Sequence, residues 1–238
     1  MKKEGGRVIM NIKIDYLDIG EVSFPEFLAI QSKLVEERKN ELIPDTIVIG
    51  QFQACYSIGG TVKNIGDDFK SKTLLSQKNG HWHYNDIPIF LASRGGRTTY
   101  HDEQQFNIIP IFRLDDLSPS WLIDTIAKIS INMLAGLGFK AERKLYDNKF
   151  SGISLNNLYV GNIGVLIKLF SVSCFGISLN MNADLNNFNA IYPCGFRDPG
   201  VIVGNIMPKN DLSSKKEQII ETLKKECSLI KKNKSPIF

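Results

Sequence analysis

The stretch Ile87-Pro88-Ile89-Phe90-Leu91-Ala92-Ser93-Arg94-Gly95-Gly96-Arg97-Thr98-Thr99-Tyr100-His101 runs from a short apolar segment into a glycine pair and then into hydrogen-bonding side chains. Ile87 to Leu91 predicts a strand, which delivers the chain into Ser93-Arg94-Gly95-Gly96-Arg97. Two adjacent glycines let backbone N–H groups approach a ligand that side chains would otherwise block, and they equally suit a tight turn.

Toward the N-terminus, Thr46 to Ile49 is β-branched between Pro44 and Gly50 and predicts a buried strand. Ser23-Phe24-Pro25-Glu26 has the form of a capping box, in which Ser23 caps the backbone and Glu26 reaches back. Phe27, Ile30 and Leu34 then recur at helical spacing, so a helix is expected to about Lys39, preceded by a short strand over Ile12 to Tyr16. Residues 60–86 are polar and turn-rich and read as loop.

Toward the C-terminus, Phe106 to Phe112 predicts another strand, and Ser118-Pro119 an N-cap with proline at the first helical position. Leu122, Ile126, Ile129, Met133 and Leu137 form one apolar stripe, ended by Gly136 and Gly138. Short strands are expected between Ile153 and Asn182, broken by Asn156-Asn157 and by Gly161. A final helix from about Ser214 has Ile219, Leu223, Cys227 and Ile230 as its seam. Strands and helices alternate only loosely, which favours an α+β fold, a mixed sheet with flanking helices, over a doubly wound one. With no internal repeat or linker, residues 1–238 read as a single domain carrying a basic C-terminal helix at about 213–233.

At 238 residues, 43% hydrophobic and 23% charged, the chain can bury a sizeable core, which excludes disorder and a disulfide scaffold. No apolar run approaches the roughly 18 to 20 residues that cross a bilayer. Met1 to Asn11 is basic but leads into no apolar segment, so neither a signal peptide nor a membrane partner is expected. The net charge of +4 lies wholly in the last 26 residues, where seven lysines face three glutamates. A neutral body with a basic tail is not the footprint of a nucleic-acid binder.

Cys55, Cys174, Cys194 and Cys227 have no C-x-x-C spacing, so free thiols in a reducing compartment, the cytoplasm, are expected. Tyr192-Pro193-Cys194-Gly195-Phe196 sets one of them in a rigid turn, where a sulfur can sit at the lip of a pocket. His81-Trp82-His83 places two imidazoles on one side of an extended segment, but no third ligand stands nearby, and no metal or cofactor is expected.

Three ordered segments together resemble one family. Arg94-Gly95-Gly96-Arg97-Thr98-Thr99-Tyr100-His101 looks like the R-G-G-x-x-T-Y-H signature of the lipoate-pathway octanoyltransferases. Gly176-Ile177-Ser178-Leu179-Asn180-Met181-Asn182-Ala183-Asp184-Leu185 is similar to that family's H-G-x-A-L-N-x-N-x-D-L, and Tyr192-Pro193-Cys194-Gly195 follows where its N-P-C-G stands. The similarity covers roughly residues 45–205. It implies an α+β fold shared with lipoate and biotin protein ligases. It also implies transfer of an octanoyl group from acyl carrier protein to a lysine of a lipoyl domain, without a cofactor and by a monomer. Cys194 would form a thioacyl intermediate. Arg94, Gly95, Gly96, Arg97, Thr98, Thr99, Tyr100 and His101 would line the acyl site, together with Asn162, Ile163, Gly164, Gly176, Ile177 and Ser178.

The pattern also departs from the family. Tyr159 stands where the family's lysine opens its K-I-x-S-x-G stretch, and a phenol neutral at pH 7 supplies no cation to the thiol. Lys149, Lys168 or His101 would have to act in its place. Asp102-Glu103 replaces the start of the family's G-P-G-Q and sets two carboxylates near the site. Cys174-Phe175 stands where a histidine precedes Gly176. The alternative these departures raise is a non-catalytic member that binds an acyl group or a lipoyl domain.

Overall fold

Among the described residues, fifteen strands and four α-helices appear in the order β1 (Lys2–Glu4), β2 (Arg7–Asn11), β3 (Ile14–Val22), α1 (Phe24–Lys39), β4 (Asp45–Phe52) and β5 (Cys55–Ile58). Next come β6 (Leu75–Lys78), β7 (His81–Tyr84), β8 (Ile87–Leu91), β9 (Thr98–His101), β10 (Gln105–Ile111) and α2 (Pro119–Gly136). The chain continues through β11 (Ala141–Tyr146), β12 (Phe150–Leu155), β13 (Leu158–Lys168), β14 (Val172–Asn180) and α3 (Leu185–Asn189). After a 3-10 turn at Pro193–Gly195 it ends in α4 (Asp211–Cys227) and β15 (Lys231–Lys234). The computed structural model describes residues 2–4, 7–11, 13–115, 117–146, 150–168, 172–197, 200–208 and 211–234.

The main sheet has the order β11-β12-β13-β14-β10-β4-β3, antiparallel throughout except for the parallel β3–β4 pair. Both of its faces are covered. Ile47 and Ile49 of β4 point into a core with α2 and α4, while Val48 between them joins Phe24, Phe27 and Val35 of α1 on the other side. This period of two within a continuous apolar run is what a doubly covered strand requires. A second sheet, β6-β7-β8-β5-β9, closes over one end, and β15 pairs with the β1–β2 hairpin. The α+β expectation with a mixed sheet therefore holds.

Helix α1 starts in the expected capping box: the Ser23 side chain accepts from the Glu26 backbone N–H and the Ser23 N–H donates to Glu26 Oε2 at 2.8 Å. Its buried face is Phe24, Phe27, Gln31 and Val35 rather than the Ile30 and Leu34 of the sequence reading, which are half-buried. In α2 the Ser118 cap and the seam Leu122, Ile126, Ile129 and Met133 stand as expected. Helix α4 buries Ile219, Leu223 and Cys227 but ends at Cys227, and residues 231–234 form β15 instead of a last helical turn.

Two further expectations fail. Residues 60–86 are not all loop: β6 and β7 make a hairpin through Asn79-Gly80, and β7 turns into β8 through Asn85-Asp86. All four turn residues have positive φ, the conformation a two-residue hairpin turn demands. Gly161 does not break a strand either. It lies inside β13, and a Cβ there would come within 2.8 Å of Leu179 and 3.1 Å of Ile153, so its smallness lets three strands close up. Asn156-Asn157 is the turn foreseen, with φ of 50° and 64°.

Candidate active site

Strand β9 ends on His101, whose side chain is 5% exposed. Phe24 stacks on the imidazole at 5.7 Å between centroids and Phe52 meets it edge-on at 5.4 Å. Burial, and secondarily the nearby Arg94 charge, hold its pKa down at about 3, so the ring is neutral. Gln105 Oε1 lies 3.1 Å from Nδ1 and can only accept, which places the proton on Nδ1 and leaves Nε2 as an acceptor for the Ser57 hydroxyl at 3.0 Å. Ser57 Oγ in turn accepts from Arg94 Nη2 at 2.6 Å. Gln105 Nε2 donates to Asn180 Oδ1 at 2.9 Å, and Asn180 Nδ2 donates to the Gly204 carbonyl. A continuous relay therefore runs from Arg94 to the end of β14.

Arg94 is 6% exposed and folds back into its own loop, donating also to the carbonyls of Ser57, Gly95 and Arg97. Gly96 has φ +84°, which strains any side chain, and its carbonyl packs so closely on Gly59 that Gly59 has no room for a Cβ. Of the two readings of this glycine pair, the structure supplies the tight turn, built around a buried guanidinium.

A cavity of about 30 Å³ lies behind this relay, bordered by Phe24, Phe27, Phe52, Arg94, His101, Asn107, Ile109, Asn162, Gly164, Phe175, Gly176, Ile177 and Ser178. One water needs roughly 10–15 Å³ measured in this way, so the cavity holds one or two waters, and an eight-carbon chain enters only if the phenylalanines move. Strand alternation would send Phe175 to the face of Ile177 and Leu179. Its φ of +60° turns it instead toward Val172, Cys174 and Phe27. For a bulky residue that conformation costs roughly 1–2 kcal/mol. A wider outer cleft of about 320 Å³ shares Arg94, Asn162 and Gly164 with the cavity and adds Gly95, Gly96, Arg97, Arg143, Ile163 and Val165.

The residues named from sequence thus separate into groups. Arg94, His101, Asn162, Gly164, Gly176, Ile177 and Ser178 meet at the inner cavity, and Gly95, Gly96, Arg97 and Ile163 at the outer cleft. Thr98, Thr99 and Tyr100 line neither: Tyr100 packs on Tyr56 and Phe188, and its hydroxyl oxygen accepts from Asn187. Tyr159 is 2% exposed against Phe196, Val201 and Val203, with its hydroxyl donating to Asn162 Oδ1 at 3.0 Å. It therefore packs beside the segment that follows Cys194 and meets Asn162, which borders the cleft.

Cys194 occupies the middle of the 3-10 turn, which Tyr192 anchors by donating its N–H to the Asp68 carbonyl at 2.8 Å. The other three thiols are buried, and burial pushes their pKa values up, to about 11 for Cys174 and about 12 for Cys227, with Cys55 raised further still.

Of the groups proposed to replace the lysine, Lys149 lies outside the described residues. Lys168, at the far end of β13, exerts its charge on Cys174. His101 has Nε2 occupied by Ser57. The expected carboxylate pair is also differently disposed. Asp102 is buried and accepts from the Asp184 and Gln104 N–H groups, so it fixes the start of α3 rather than facing the cleft, and Glu103 is exposed. Phe24, Phe27, Phe52, Ser57 and Gln105 border or wire this site and were missed. Their apolar or uncharged polar character, spread over α1, β4, β5 and β10, carries no local signature.

The model of the lipoyl protein ligase A/B catalytic domain family matches residues 24–228. An octanoyltransferase of Caldicellulosiruptor bescii is 32% identical over 199 residues, covering 81% of this chain and 80% of its own. The mitochondrial octanoyltransferase of Arabidopsis thaliana is 28% identical and covers 88% and 87%. Among solved structures, a lipoate-protein ligase A bound with ATP superposes with a TM-score of 0.64 at 15% identity over 92% of this chain and 85% of its own. At that identity the likeness speaks for the fold alone.

Proposed function

The chain belongs to the lipoyl protein ligase A/B catalytic domain family and to the octanoyltransferases within it, and we propose that it carries an octanoyl group from an acyl carrier protein to a lysine of a lipoyl domain through a thioester on Cys194. The observation that carries this reading is the backbone position of residue 194, in the middle of a short 3-10 turn whose neighbours Tyr192 and Arg197 border an open cleft with Arg97.

In this reaction the Cys194 thiolate attacks the carbonyl carbon of the donor thioester, and the carrier's thiol leaves as the acyl-cysteine forms. The lysine amine then attacks that carbonyl, the amide forms, and the cysteine sulfur leaves and regains its proton. An activated thiol divides one difficult transfer into two easier ones. Arg94, Ser57, His101 and Gln105 act as the fixed wall of the acyl site. Their polar groups are already satisfied by one another, so the acyl chain meets mainly the phenylalanine rings and the small faces of Gly164 and Gly176. The reading also has the protein acting as a monomeric, single catalytic domain in the cytoplasm.

A second reading has one specific observation in its favour: Tyr159, where the motif's lysine stands, is an uncharged side chain already bonded to Asn162. A site with no source of positive charge would bind an acyl group or a lipoyl domain without turning over. Intact mass after incubation with octanoyl-acyl carrier protein, beside Cys194→Ala, separates the two. An octanoyl adduct in the parent and none in the variant supports transfer; no adduct in a folded parent with a competent donor leaves the binding role.

A further inference from the structure

With Tyr159 neutral, the charge that would hold Cys194 as a thiolate has to come from elsewhere in the site. Arg94 is committed to Ser57 and to backbone carbonyls. Arg143, across the outer cleft, donates to Ser151 and pairs with Asp124. Lys168 follows Tyr159 by nine positions along β13, roughly 30 Å at strand rise.

Arg97 is placed differently. Its side chain lies directly on Gly195, the residue after Cys194: a Cβ on Gly195 would collide with Arg97 Cδ and Nε and come within 3.2 Å of Cγ. Gly195 also has φ +79°, so glycine is required there both for conformation and for the approach of this arginine. Arg97 is held from its far side, where Nε and Nη2 donate to Asp68 Oδ1 at 2.9 and 2.5 Å, and Asp68 Oδ2 accepts from the Thr98 N–H at 3.0 Å. Asp68 is fully buried, while the Arg97 side chain remains 30% exposed. It borders the outer cleft with Arg94 and Gly164, and the cleft of Tyr192 and Arg197 as well.

We infer that Arg97 is the residue whose charge stabilises the Cys194 thiolate, taking the part that Tyr159 leaves vacant, with Asp68 fixing the guanidinium against the turn. The assignment rests on Cys194 being the nucleophile of the proposed transfer. The proton of the thiol goes to solvent, and the negative charge left on residue 194 is answered by a guanidinium side chain packed on the next residue instead of by a neutral phenol. Other charges around the turn are Lys70, Lys72 and Arg197, with Asp67 and Asp68 opposing them, and Tyr192 as the neighbouring titratable side chain. Arg197 sits over the Tyr192 ring at 4.5 Å and Lys70 at 5.7 Å, and Lys72 packs by Gly66, so among the described residues Arg97 is the cation packed on the backbone next to the sulfur-bearing residue.

The test is the pH dependence of Cys194 alkylation by iodoacetamide, followed on its own peptide by mass spectrometry. No acyl donor is needed, so its outcome is independent of whether the protein transfers octanoyl groups. Arg97→Gln should raise the apparent pKa of the Cys194 thiol by about one unit or more, the usual effect of losing an opposite charge at close range. Arg97→Lys keeps the charge and should restore most of the shift. Asp68→Asn keeps Oδ1 as an acceptor for the Arg97 guanidinium but removes the opposing charge, and should lower the pKa. If the ion pair only ties the two loops together, Arg97→Gln and Asp68→Asn break the same tie and shift the pKa in the same direction. That result, or an Arg97→Gln pKa equal to the parent's, overturns the assignment. Should Arg97→Gln fail to fold, Arg97→Lys and Asp68→Asn still decide: an unchanged pKa in Asp68→Asn, or a rise, is the overturning result. An unshifted pKa beside a normal octanoyl adduct would reject Arg97 and leave the transfer reading intact, and a shifted pKa with no adduct would do the reverse.

Discussion

The floor and the rim of the site are built on different principles. At the floor, Arg94, Ser57, His101, Gln105 and Asn180 are almost fully enclosed, and each polar group is answered by the next. At the rim, Cys194 lies on a three-residue turn whose neighbours Tyr192 and Arg197 border an open cleft with Arg97, and the interactions there are between charges and ring faces. Burial makes the floor costly to disturb, because a group that loses its partner there has no water to replace it. The rim is solvated, so it can lose a side chain with little penalty to stability and keep its chemistry adjustable. Stability should thus reside in the one and reactivity in the other.

Cys194→Ala tests that division most severely. Octanoyl transfer should fall by at least about 10³-fold, as for other nucleophiles removed from covalent mechanisms, while the urea unfolding midpoint stays within error of the parent. A large drop in the midpoint would mean that the turn is part of the floor. Ser57→Ala should do the opposite, leaving Arg94 Nη2 and His101 Nε2 short of a partner at a cost of about 1–3 kcal/mol in denaturant unfolding. If this variant instead unfolds like the parent and only slows transfer, the floor is not the stabilising unit described here.

His101 supplies a pH-dependent version of the same test. Its folded pKa of about 3 lies well below the ordinary value of 6.5, so the folded state takes up this proton less readily than the unfolded chain. Above pH 6.5 neither state is protonated and the group contributes no slope. Between pH 6.5 and about 3, unfolding becomes easier as pH falls, by up to about 1.4 kcal/mol per pH unit from this one group. Asp102, whose pKa burial raises, opposes this at the acid end of the range, so the useful quantity is the difference between parent and His101→Asn. That difference should shrink steadily as the pH is lowered through this window; a constant difference would show that His101 is not buried as a neutral ring. The smallest effect belongs to neither region. Ser23→Ala, at the start of the helix that supplies Phe24 and Phe27, should cost about 1 kcal/mol in unfolding with transfer unchanged.

How much of this was legible in advance differs between the two regions. The rim is legible in contiguous residues: Arg97, inside the Arg94 to His101 motif, and Tyr192 to Phe196 belong to short motifs, and the family resemblance they carry brings Tyr159 and Cys194 into one account. The floor is legible in part. Arg94, His101, Gly176 to Ser178 and Asn162 to Gly164 stand out in the sequence, but Phe24, Phe52 and Ser57 do not, because a phenylalanine on a helix and a serine in a strand look the same whether they border a cavity or fill a core. The hairpin of residues 75–84 was missed for a related reason. Its strands are four residues long, too short for alternation to stand out, and the Asn79-Gly80 turn signal was absorbed into a polar stretch.

The sequence by itself determined what local physics can encode: the capping box at Ser23, the Ser118 cap of α2, the Asn156-Asn157 turn, the apolar seams and the α+β class. These depend on neighbours a few residues away, and the chain order states them directly. Tertiary structure alone decided the direction in which charges and rings point. It directed Asp102 toward α3, closed Ser57 over His101, turned Phe175 across its strand and laid Arg97 on Gly195. Each of those outcomes joins residues from separate strands or loops, and only the packing of the two sheets fixes which side chains share a buried volume and which are left with water.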